Sequence, residues 1–422
     1  MPQTVLRMQE NFGGGYDGTL MPSGARLFAE ALASLNPCPV FTLVGDHLNG
    51  VLAELAGLGV PIIDMRHESA VAHAADAYAR LSRRPALALV TGGPGHTNAL
   101  TGLATAHLAC SPLVLVSGSR SRAVADRGGF QDLDQTAMAR PACKWAAEVA
   151  APAQIPFYLR RAFEVAQAGR PGPVHLTVPV DVFETAADGP PAISQTQVSP
   201  VTPIGPELER AIELLRSSRR PVAIAGSGVW WSDAGQHLGA FIEKTGIALY
   251  TMNMARGVIP DNHPQCFGFA DPALNRAAHS AYQEADLFLI LGKRLDYRLA
   301  LGSTRVIPAG AKCIQVDIDA GEFGINRHID VALHADVKQT LATLTASLAS
   351  SAMPEWTARQ NELRDQWRAR LSAAEQDRSS PLHPAVVFGE LATALPMGAL
   401  ISGDGGDFTH WGRAIVPALQ PG

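Results

Sequence analysis

The sequence predicts an α/β protein with two doubly wound parallel-sheet domains plus the start of a third. Short apolar runs of the kind that form buried strands alternate with Ala- and Leu-rich stretches at helical spacing. Several of the apolar runs end in glycine-rich turns. The composition, 47% apolar and 17% charged with 39 Gly and 30 Pro, is typical of a compact chain with many tight turns.

Changes in pattern along the chain predict six segments. The stretch before Ser23 has little periodicity, and a Pro-rich stretch separates two blocks of alternating strands and helices. A charged amphipathic stretch follows the second block. We therefore expect an N-terminal arm (1–22), a first α/β domain (23–188), a linker (189–206), a central α/β domain (207–350), a linker helix (351–380) and a C-terminal segment (381–422).

Charge and cysteine usage argue against several classes of protein. The net charge is −5 and no block of Lys and Arg forms a basic stripe, so no nucleic-acid partner is expected. The five cysteines are scattered and lack a CxxC pair, which favours a reducing cytoplasm over a disulfide framework or a zinc site. No apolar run approaches the roughly 18 residues of a membrane span, so no membrane partner is expected either.

Glu68 is the first candidate for a catalytic residue. It lies where a short apolar run, residues 62–64, leads into an Ala-rich helix. A carboxylate in that place can point into a cleft, and we expect the apolar residues Ile62, Ile63 and Val71 to exclude water from it, which suits general acid–base chemistry. The alternative is that Glu68 is a helix-start acid favoured by the helix dipole.

A glycine-rich loop follows the next predicted strand. Residues 85–91 form an apolar run that leads into Gly-Gly-Pro-Gly-His-Thr-Asn at 92–98. A ligand can approach such bare backbone closely. A further strand is predicted at 112–119, and Phe130 and Gln131 come after it.

Taken in order, these segments resemble the pyrimidine-binding half of thiamine-diphosphate enzymes of the acetolactate synthase and 2-hydroxyacyl-CoA lyase type. The matching motifs are His67-Glu68, the loop at 92–98, Pro-Leu-Val-x-x-Ser-Gly at 112–118 and Phe-Gln-x-x-Asp at 130–134. The segment at 169–174, Gly-Arg-Pro-Gly-Pro-Val, is also similar to the family's sequence. The resemblance implies that the first domain binds the cofactor's pyrimidine and that Glu68 relays a proton to its ring nitrogen.

The resemblance also implies roles for other residues. On the cofactor side it implies Gly45, Asp46, His47, Gly93, Pro94, Gly95 and Asn98. Phe130 and Gln131 are expected to line the substrate side. For His47, His67 and His96, a catalytic role and a polar loop residue bonded to backbone both stay open.

The resemblance implies a carbon–carbon bond lyase or ligase that acts on a 2-keto acid or a 2-hydroxyacyl thioester. Acetolactate synthases usually have Lys at the position of Val180, and this departure leaves room for a lyase or decarboxylase of the same family. The alternative is a non-catalytic nucleotide-binding or regulatory scaffold built from the same domains.

A second glycine turn, Gly226-Ser227-Gly228, follows the predicted strand at 221–225. Trp231 stands where a dinucleotide fingerprint has its third glycine, so NAD is not expected. Segments 285–292 and 312–319 resemble the family's central domain, which implies FAD, ADP or no ligand there.

The C-terminal segment, residues 381–422, resembles the start of the family's diphosphate-binding domain, which implies that this third domain is incomplete here. Residues 398–401 predict a short strand that leads into Gly403-Asp404-Gly405. The family holds Mg²⁺ through a Gly-Asp-Gly and an Asn about one helix later, and no Asn follows Asp404 here, so we assign no metal ligand. We expect thiamine diphosphate with Mg²⁺ as cofactor, a metal site outside these residues, and no activity of this chain alone. The expected assembly is a homodimer or homotetramer, or a complex with a separate chain that supplies the third domain.

Overall fold

The computed structural model describes residues 21–35, 39–188, 199–396 and 398–421. The chain divides into two compact units, with the boundary after residue 196. The predicted N-terminal arm, apart from its last two residues, lies outside the described residues, and so does most of the predicted linker at 189–206.

The first unit is built on one parallel sheet. Its strands are β1 (Val40–Thr42), β2 (Ile62–Asp64), β3 (Ala86–Val90), β4 (Leu113–Ser119), β5 (Trp145–Glu148) and β6 (Val174–Pro179), in the order β2-β1-β3-β4-β6-β5. Its helices are α1 (Gly24–Ser34), α2 (Asn49–Gly57), α3 (Glu68–Ser82), α4 (Pro94–Ala109), α5 (Gln135–Ala139), α6 (Ile155–Gln167) and α7 (Val180–Glu184).

The second unit repeats this architecture. Its strands are β7 (Pro221–Ala225), β8 (Ala248–Thr251), β9 (Cys266–Phe269), β10 (Leu287–Leu291), β11 (Lys312–Asp317) and β12 (Val331–His334), all parallel in the order β12-β11-β10-β7-β8-β9. Its helices are α8 (Pro206–Ser217), α9 (Ser227–Trp231), α10 (Gly235–Thr245), α11 (Arg276–Glu284), α12 (Val337–Ser347), α13 (Pro354–Glu375), α14 (Pro384–Ala394) and α15 (Asp407–Ile415).

Each sheet separates two hydrophobic cores. In β3, Leu87 and Leu89 belong to one core whereas Ala88 and Val90 belong to the other. In β10 the three leucines face one core, and Phe288 and Ile290 face the other. Because successive side chains of a strand point to opposite faces, an uninterrupted apolar run is what a sheet covered by helices on both faces requires. The predicted pair of doubly wound parallel sheets is confirmed.

One predicted strand is wrong. Residues 398–401 form no strand, and Leu400 is 98% exposed. A strand needs a partner for its backbone N–H and C=O groups, and among the described residues this stretch pairs with none. The four apolar residues are too few to fix a strand on their own.

Two general predictions can be compared with the described residues. Within them, no helix has both the length and the apolar character needed to cross a membrane. The cysteines in this part of the chain, Cys110, Cys143, Cys266 and Cys313, are all unpaired.

Candidate active site

The first unit collects its candidate residues at the carboxyl ends of β1, β2, β3 and β4. Glu68 begins α3, four residues after β2 ends, as the sequence predicts. Asn98 lies in the first turns of α4, and its Nδ2 donates to Glu68 Oε2 at 3.0 Å. A Cβ atom placed on Gly95 would lie 3.4 Å from Glu68 Oε1. One carboxylate oxygen is therefore held by an amide, and the other lies over bare backbone.

The expected surroundings of Glu68 are only partly correct. Val71 is buried, but Ile62 and Ile63 are 36% and 39% exposed, and Glu68 itself is half-buried. The reason is the place of β2 at the edge of the sheet, where it pairs on one side with β1 and, in the described part of the chain, all three of its residues are exposed. Of the three apolar neighbours that we expected to exclude water, only Val71 is buried within this chain.

The glycine loop between β3 and α4 is packed tightly against neighbouring backbone. Gly93 has φ +59° and ψ −116°, a conformation that side-chain-bearing residues rarely adopt. A Cβ on Gly93 would lie 2.6 Å from Gln131 Cβ, and one on Gly92 would lie 2.8 Å from the Gly118 carbonyl oxygen. These glycines are therefore required by contacts inside the protein, and Pro94 then occupies the first helical position of α4.

His47 lies beside this loop in a short 3₁₀ turn after Gly45 and Asp46. Its Nδ1 accepts the Gly92 N–H at 3.3 Å and lies 2.9 Å from the Thr91 hydroxyl. Because a backbone N–H can only donate, Nδ1 is the acceptor and the proton of the neutral ring lies on Nε2. Burial lowers the pKa of His47 and outweighs the nearby Asp46, which acts to raise it. The lowered pKa keeps the ring neutral near pH 7.

Phe130 and Gln131 lie on the loop between β4 and α5. The Phe130 ring is stacked on His47 with 6.1 Å between ring centroids, and it is 65% exposed. Gln131 has φ +58°, and its Oε1 is buried with no hydrogen-bond partner among the described residues. Asp132 fixes this loop, because one carboxylate oxygen accepts Arg120 Nε at 2.9 Å while the other accepts the Asp126 N–H at 2.8 Å.

His67 and His96, the other two candidate histidines, lie in different environments. His67 caps α3, with its Nδ1 accepting the Ser69 N–H at 3.1 Å, and is exposed. His96 is fully buried, with Nδ1 2.9 Å from Ser117 Oγ, and His175 Nε2 lies 3.2 Å from the same hydroxyl. Burial lowers the pKa of His96 to about 4 and that of His175 well below its usual value. His96 is thus a neutral core residue beneath the site.

Gln135 was not predicted from the sequence, although it contacts the glycine loop directly. Its side chain is 1% exposed, its Oε1 accepts the Gly93 N–H at 2.8 Å, and its Nε2 donates to the Gly118 carbonyl at 3.0 Å. Its only sequence signal is its place after the Phe-Gln-x-x-Asp wording, and that does not reveal where a side chain reaches.

The glycine turn of the second unit has a different environment. The Gly226 N–H donates to the Leu291 carbonyl at 2.9 Å, and the Gly228 N–H donates to the Gly292 carbonyl at 3.0 Å. A Cβ on Gly228 would lie 2.6 Å from Gly292 Cα. Ser227 begins α9 between them. The backbone of the neighbouring strand end, rather than open space, lies against the two glycines.

The C-terminal Gly-Asp-Gly lies on the surface of the second unit. Asp404 is exposed, and its Oδ1 accepts the N–H of Gly405 at 2.7 Å. Within the described part of the chain, no group of three or more His, Cys, Asp and Glu residues could hold a metal ion.

Comparison with family models gives the class of protein. A model described as "Thiamine pyrophosphate enzyme, N-terminal TPP binding domain" matches residues 22–138, and one described as "Thiamine pyrophosphate enzyme, central domain" matches residues 208–344. The chain belongs to the family of thiamine-diphosphate-dependent enzymes that contains acetolactate synthases and 2-hydroxyacyl-CoA lyases.

Individual relatives support this assignment. The chain is 31% identical over 403 residues to a probable acetolactate synthase of Mycobacterium bovis, which covers 94% of the chain and 71% of that protein. It is 29% identical over 414 residues to 2-hydroxyacyl-CoA lyase 1 of Mus musculus, which covers 94% of the chain and 69% of that protein. A probable acetolactate synthase large subunit of Methanococcus aeolicus is 36% identical over 289 residues. That match spans 67% of the chain and 48% of the relative, so the chain corresponds to only part of each protein.

Proposed function

We propose that the first unit binds the aminopyrimidine ring of thiamine diphosphate and that the enzyme forms or breaks a carbon–carbon bond next to a carbonyl group. One observation carries the proposal. Asn98 holds Glu68 Oε2, and the bare backbone at Gly95 lies next to Glu68 Oε1. A flat heterocycle can approach such a surface and meet a carboxylate able to share a proton with a ring nitrogen.

The residues around Glu68 fit this cofactor. The site offers an acid (Glu68), a neutral imidazole (His47) and a buried amide oxygen that has no partner among the described residues (Gln131). Of the other residues expected on the cofactor side, Gly93, Pro94 and Gly95 shape the loop and Gly45 and Asp46 precede His47. When bound, thiamine diphosphate supplies the nucleophilic carbon and the electron sink of the reaction.

Each group has a distinct proposed role. Glu68 holds and releases a proton at Oε1, and the amide of Asn98 fixes the orientation of the carboxylate. His47 presents Nε2–H as a hydrogen-bond donor on the substrate side, because its Nδ1 is occupied by the Gly92 N–H. We assign to Gln131 Oε1, which has no hydrogen-bond partner among the described residues, the role of accepting a hydrogen bond from a substrate hydroxyl, with Phe130 as an apolar wall beside it.

The proposed substrate is a 2-keto acid or a 2-hydroxyacyl thioester. Val180, at the start of α7, replaces the lysine expected of an acetolactate synthase, and this difference favours a lyase over true acetolactate synthesis. An assay for acetolactate formation from pyruvate, run beside an assay for cleavage of a 2-hydroxyacyl-CoA, discriminates between the two. Faster acetolactate formation would contradict the preference for a lyase.

Glu68→Gln tests the assignment of the acid. In a complex reconstituted with a complete third domain, we expect this variant to lose at least about a hundredfold in rate, the usual scale for a general acid–base group. The matched control is Glu184→Gln, an exposed glutamate at the end of α7 in the same unit, which should leave the rate unchanged. Turnover of Glu68→Gln within about threefold of wild type would refute the role of Glu68.

A nucleotide ligand of the second unit is a separate proposal. The Gly226–Gly228 turn is proposed to face the diphosphate of FAD or ADP rather than NAD through its central residue Ser227, since the N–H groups of the two glycines already donate to the Leu291 and Gly292 carbonyls. Calorimetry with the three ligands tests this assignment. Tight binding of NAD alone would contradict it.

A further inference from the structure

We infer that Gln135 is a positioning residue that ties the cofactor-side glycine loop to the substrate-side loop. The inference rests on the proposed function for its catalytic meaning. It concerns a residue that touches neither cofactor nor substrate in the proposed site. Its evidence is a set of contacts that hold whatever the reaction is.

The contacts of Gln135 join three parts of the site. Its Oε1 accepts the Gly93 N–H at 2.8 Å and its Nε2 donates to the Gly118 carbonyl at 3.0 Å. Gly93 belongs to the loop that faces Glu68, and Gly118 lies near the end of β4. Gln135 itself is the first residue of α5, directly after the loop that carries Phe130 and Gln131.

The two hydrogen bonds of Gln135, to Gly93 and Gly118, affect both sides of the site because the cofactor-side and substrate-side loops are in contact. A Cβ on Gly93 would lie 2.6 Å from Gln131 Cβ, so the two loops touch at Gly93. A Cβ on Gly118 would lie 2.4 Å from His47 Cβ, so β4 touches the proposed donor on the substrate side. A shift of Gly93 or Gly118 would therefore reach both Gln131 and His47.

Both backbone groups are satisfied only by a side chain of this length that carries an acceptor and a donor. The bridge needs one acceptor and one donor on the same planar group, and glutamine offers both. Because the side chain is 1% exposed, truncation would remove both bonds at a site that bulk water does not reach in the intact protein, which costs more than the loss of exposed bonds. An ionised glutamate would accept from Gly93 and repel the Gly118 carbonyl, whereas a protonated glutamate would again offer both an acceptor and a donor.

The variants Gln135→Ala and Gln135→Glu test the inference in the full-length protein. The matched control is Gln167→Glu, an exposed glutamine whose amide donates to the Phe163 carbonyl at the far end of α6. Amide hydrogen exchange over residues 91–98 is measured without ligand, together with exchange in β7 as a reference. Thiamine diphosphate affinity is measured by calorimetry at pH 8 and pH 6, with kcat at saturating cofactor.

We expect Gln135→Ala to speed exchange at Gly93 about tenfold or more, since it removes the acceptor of that N–H. We expect Gln135→Glu to bind thiamine diphosphate about tenfold more weakly than wild type at pH 8 and to regain most of that loss at pH 6, because burial favours its protonated form. Wild type and Gln167→Glu should show no such recovery.

Two outcomes would overturn the inference. The first is exchange at Gly93 in Gln135→Ala within about threefold of wild type, which would show that the bridge does not hold the loop. The second is a Gln135→Glu affinity that is equally weak at both pH values. If wild type itself binds no thiamine diphosphate, the proposed function fails, and the exchange measurement still decides whether Gln135 holds the loop.

Discussion

The two units contain the same local motif, a buried parallel strand that ends in a glycine turn at the start of a helix, but the surroundings of the two turns differ. In the first unit the turn after β3 lies next to Glu68 and Asn98. In the second unit the backbone of Gly292 lies directly against Gly228. A glycine turn alone therefore does not define a ligand site. Its neighbours decide whether a glycine lies beside an acid, as Gly95 does, or makes room for the protein's own backbone, as Gly92 and Gly228 do.

The largest expected effect is a loss of stability in Gly228→Ala that Gly95→Ala should not show to the same extent. Gly228→Ala would place a Cβ 2.6 Å from backbone, so we expect it to lower the free energy of unfolding of the second unit by about 3 kcal/mol. Gly95→Ala would place a Cβ 2.7 Å from the Thr91 methyl group, a side chain rather than backbone, so it should cost less stability and weaken thiamine diphosphate binding instead. Urea unfolding followed by proteolysis and mass spectrometry reports each unit separately.

Matched controls keep this comparison clean. Gly310→Ala in the second unit and Gly57→Ala in the first add a Cβ that meets nothing within 4 Å. Both controls should be close to neutral. If Gly228→Ala is as harmless as Gly310→Ala, the close approach of the Gly292 backbone does not constrain the turn.

The pH dependence of stability should also differ between the two units. The pKa of His96 is about 4 in the folded protein and about 6.5 when unfolded, so the unfolded chain binds more protons between those values. Stability of the first unit should therefore fall as the pH decreases below 6.5, by roughly 2 kcal/mol between pH 7.5 and pH 5 from His96 alone. The raised pKa values of the buried Tyr250 and Tyr282 in the second unit leave those groups neutral throughout this range.

The variant His96→Gln should remove a measurable part of this pH dependence. Its control is His107→Gln, an exposed histidine near the end of the same helix, α4. Chemical unfolding at pH 7.5 and pH 5 provides the measurement. Equal stability of the wild-type first unit at the two pH values would show that the buried His96 and His175 are not held neutral.

The smallest expected effect concerns the orientation of Glu68. Asn98→Ala removes the donor to Glu68 Oε2 but leaves the carboxylate in place, so we expect a loss in kcat of about tenfold, smaller than that of Glu68→Gln. Thr101→Ala, on an exposed position of the same helix, is the control. A loss as large as that of Glu68→Gln would mean that Asn98 does more than orient the acid.

The sequence predicts the frame of the site better than its contacts. Glu68 and Gly93 are found where the pattern of strand, turn and helix places them, because apolar runs and glycines depend on local backbone geometry. The exposure of Ile62 follows from the edge position of β2, which depends on sheet order rather than on local pattern. Gln135 was missed because its bonds reach residues 17 and 42 positions away.

The same limit explains the two glycine turns. Gly95 and Gly228 look alike in sequence, and the approach of Gly292 to Gly228 is set by the pairing of β7 with β10. The strand predicted at residues 398–401 was wrong for a related reason, because a strand depends on a partner elsewhere in the chain. Pattern identifies elements, whereas contacts between distant elements determine what each one does.

The double anchor of Asp132 has a consequence for how the enzyme can be diversified. Arg120 and the Asp126 N–H fix the base of the loop, while Phe130 at its tip is 65% exposed and contributes little to either core. Asp132 thus stabilises the loop, whereas the proposed substrate contact is made by Phe130, two positions earlier. A library that varies Phe130 and keeps Asp132 and Arg120 should change the size of accepted substrates with little loss of folded protein, whereas a library that varies Asp132 should yield mostly variants with a disordered loop.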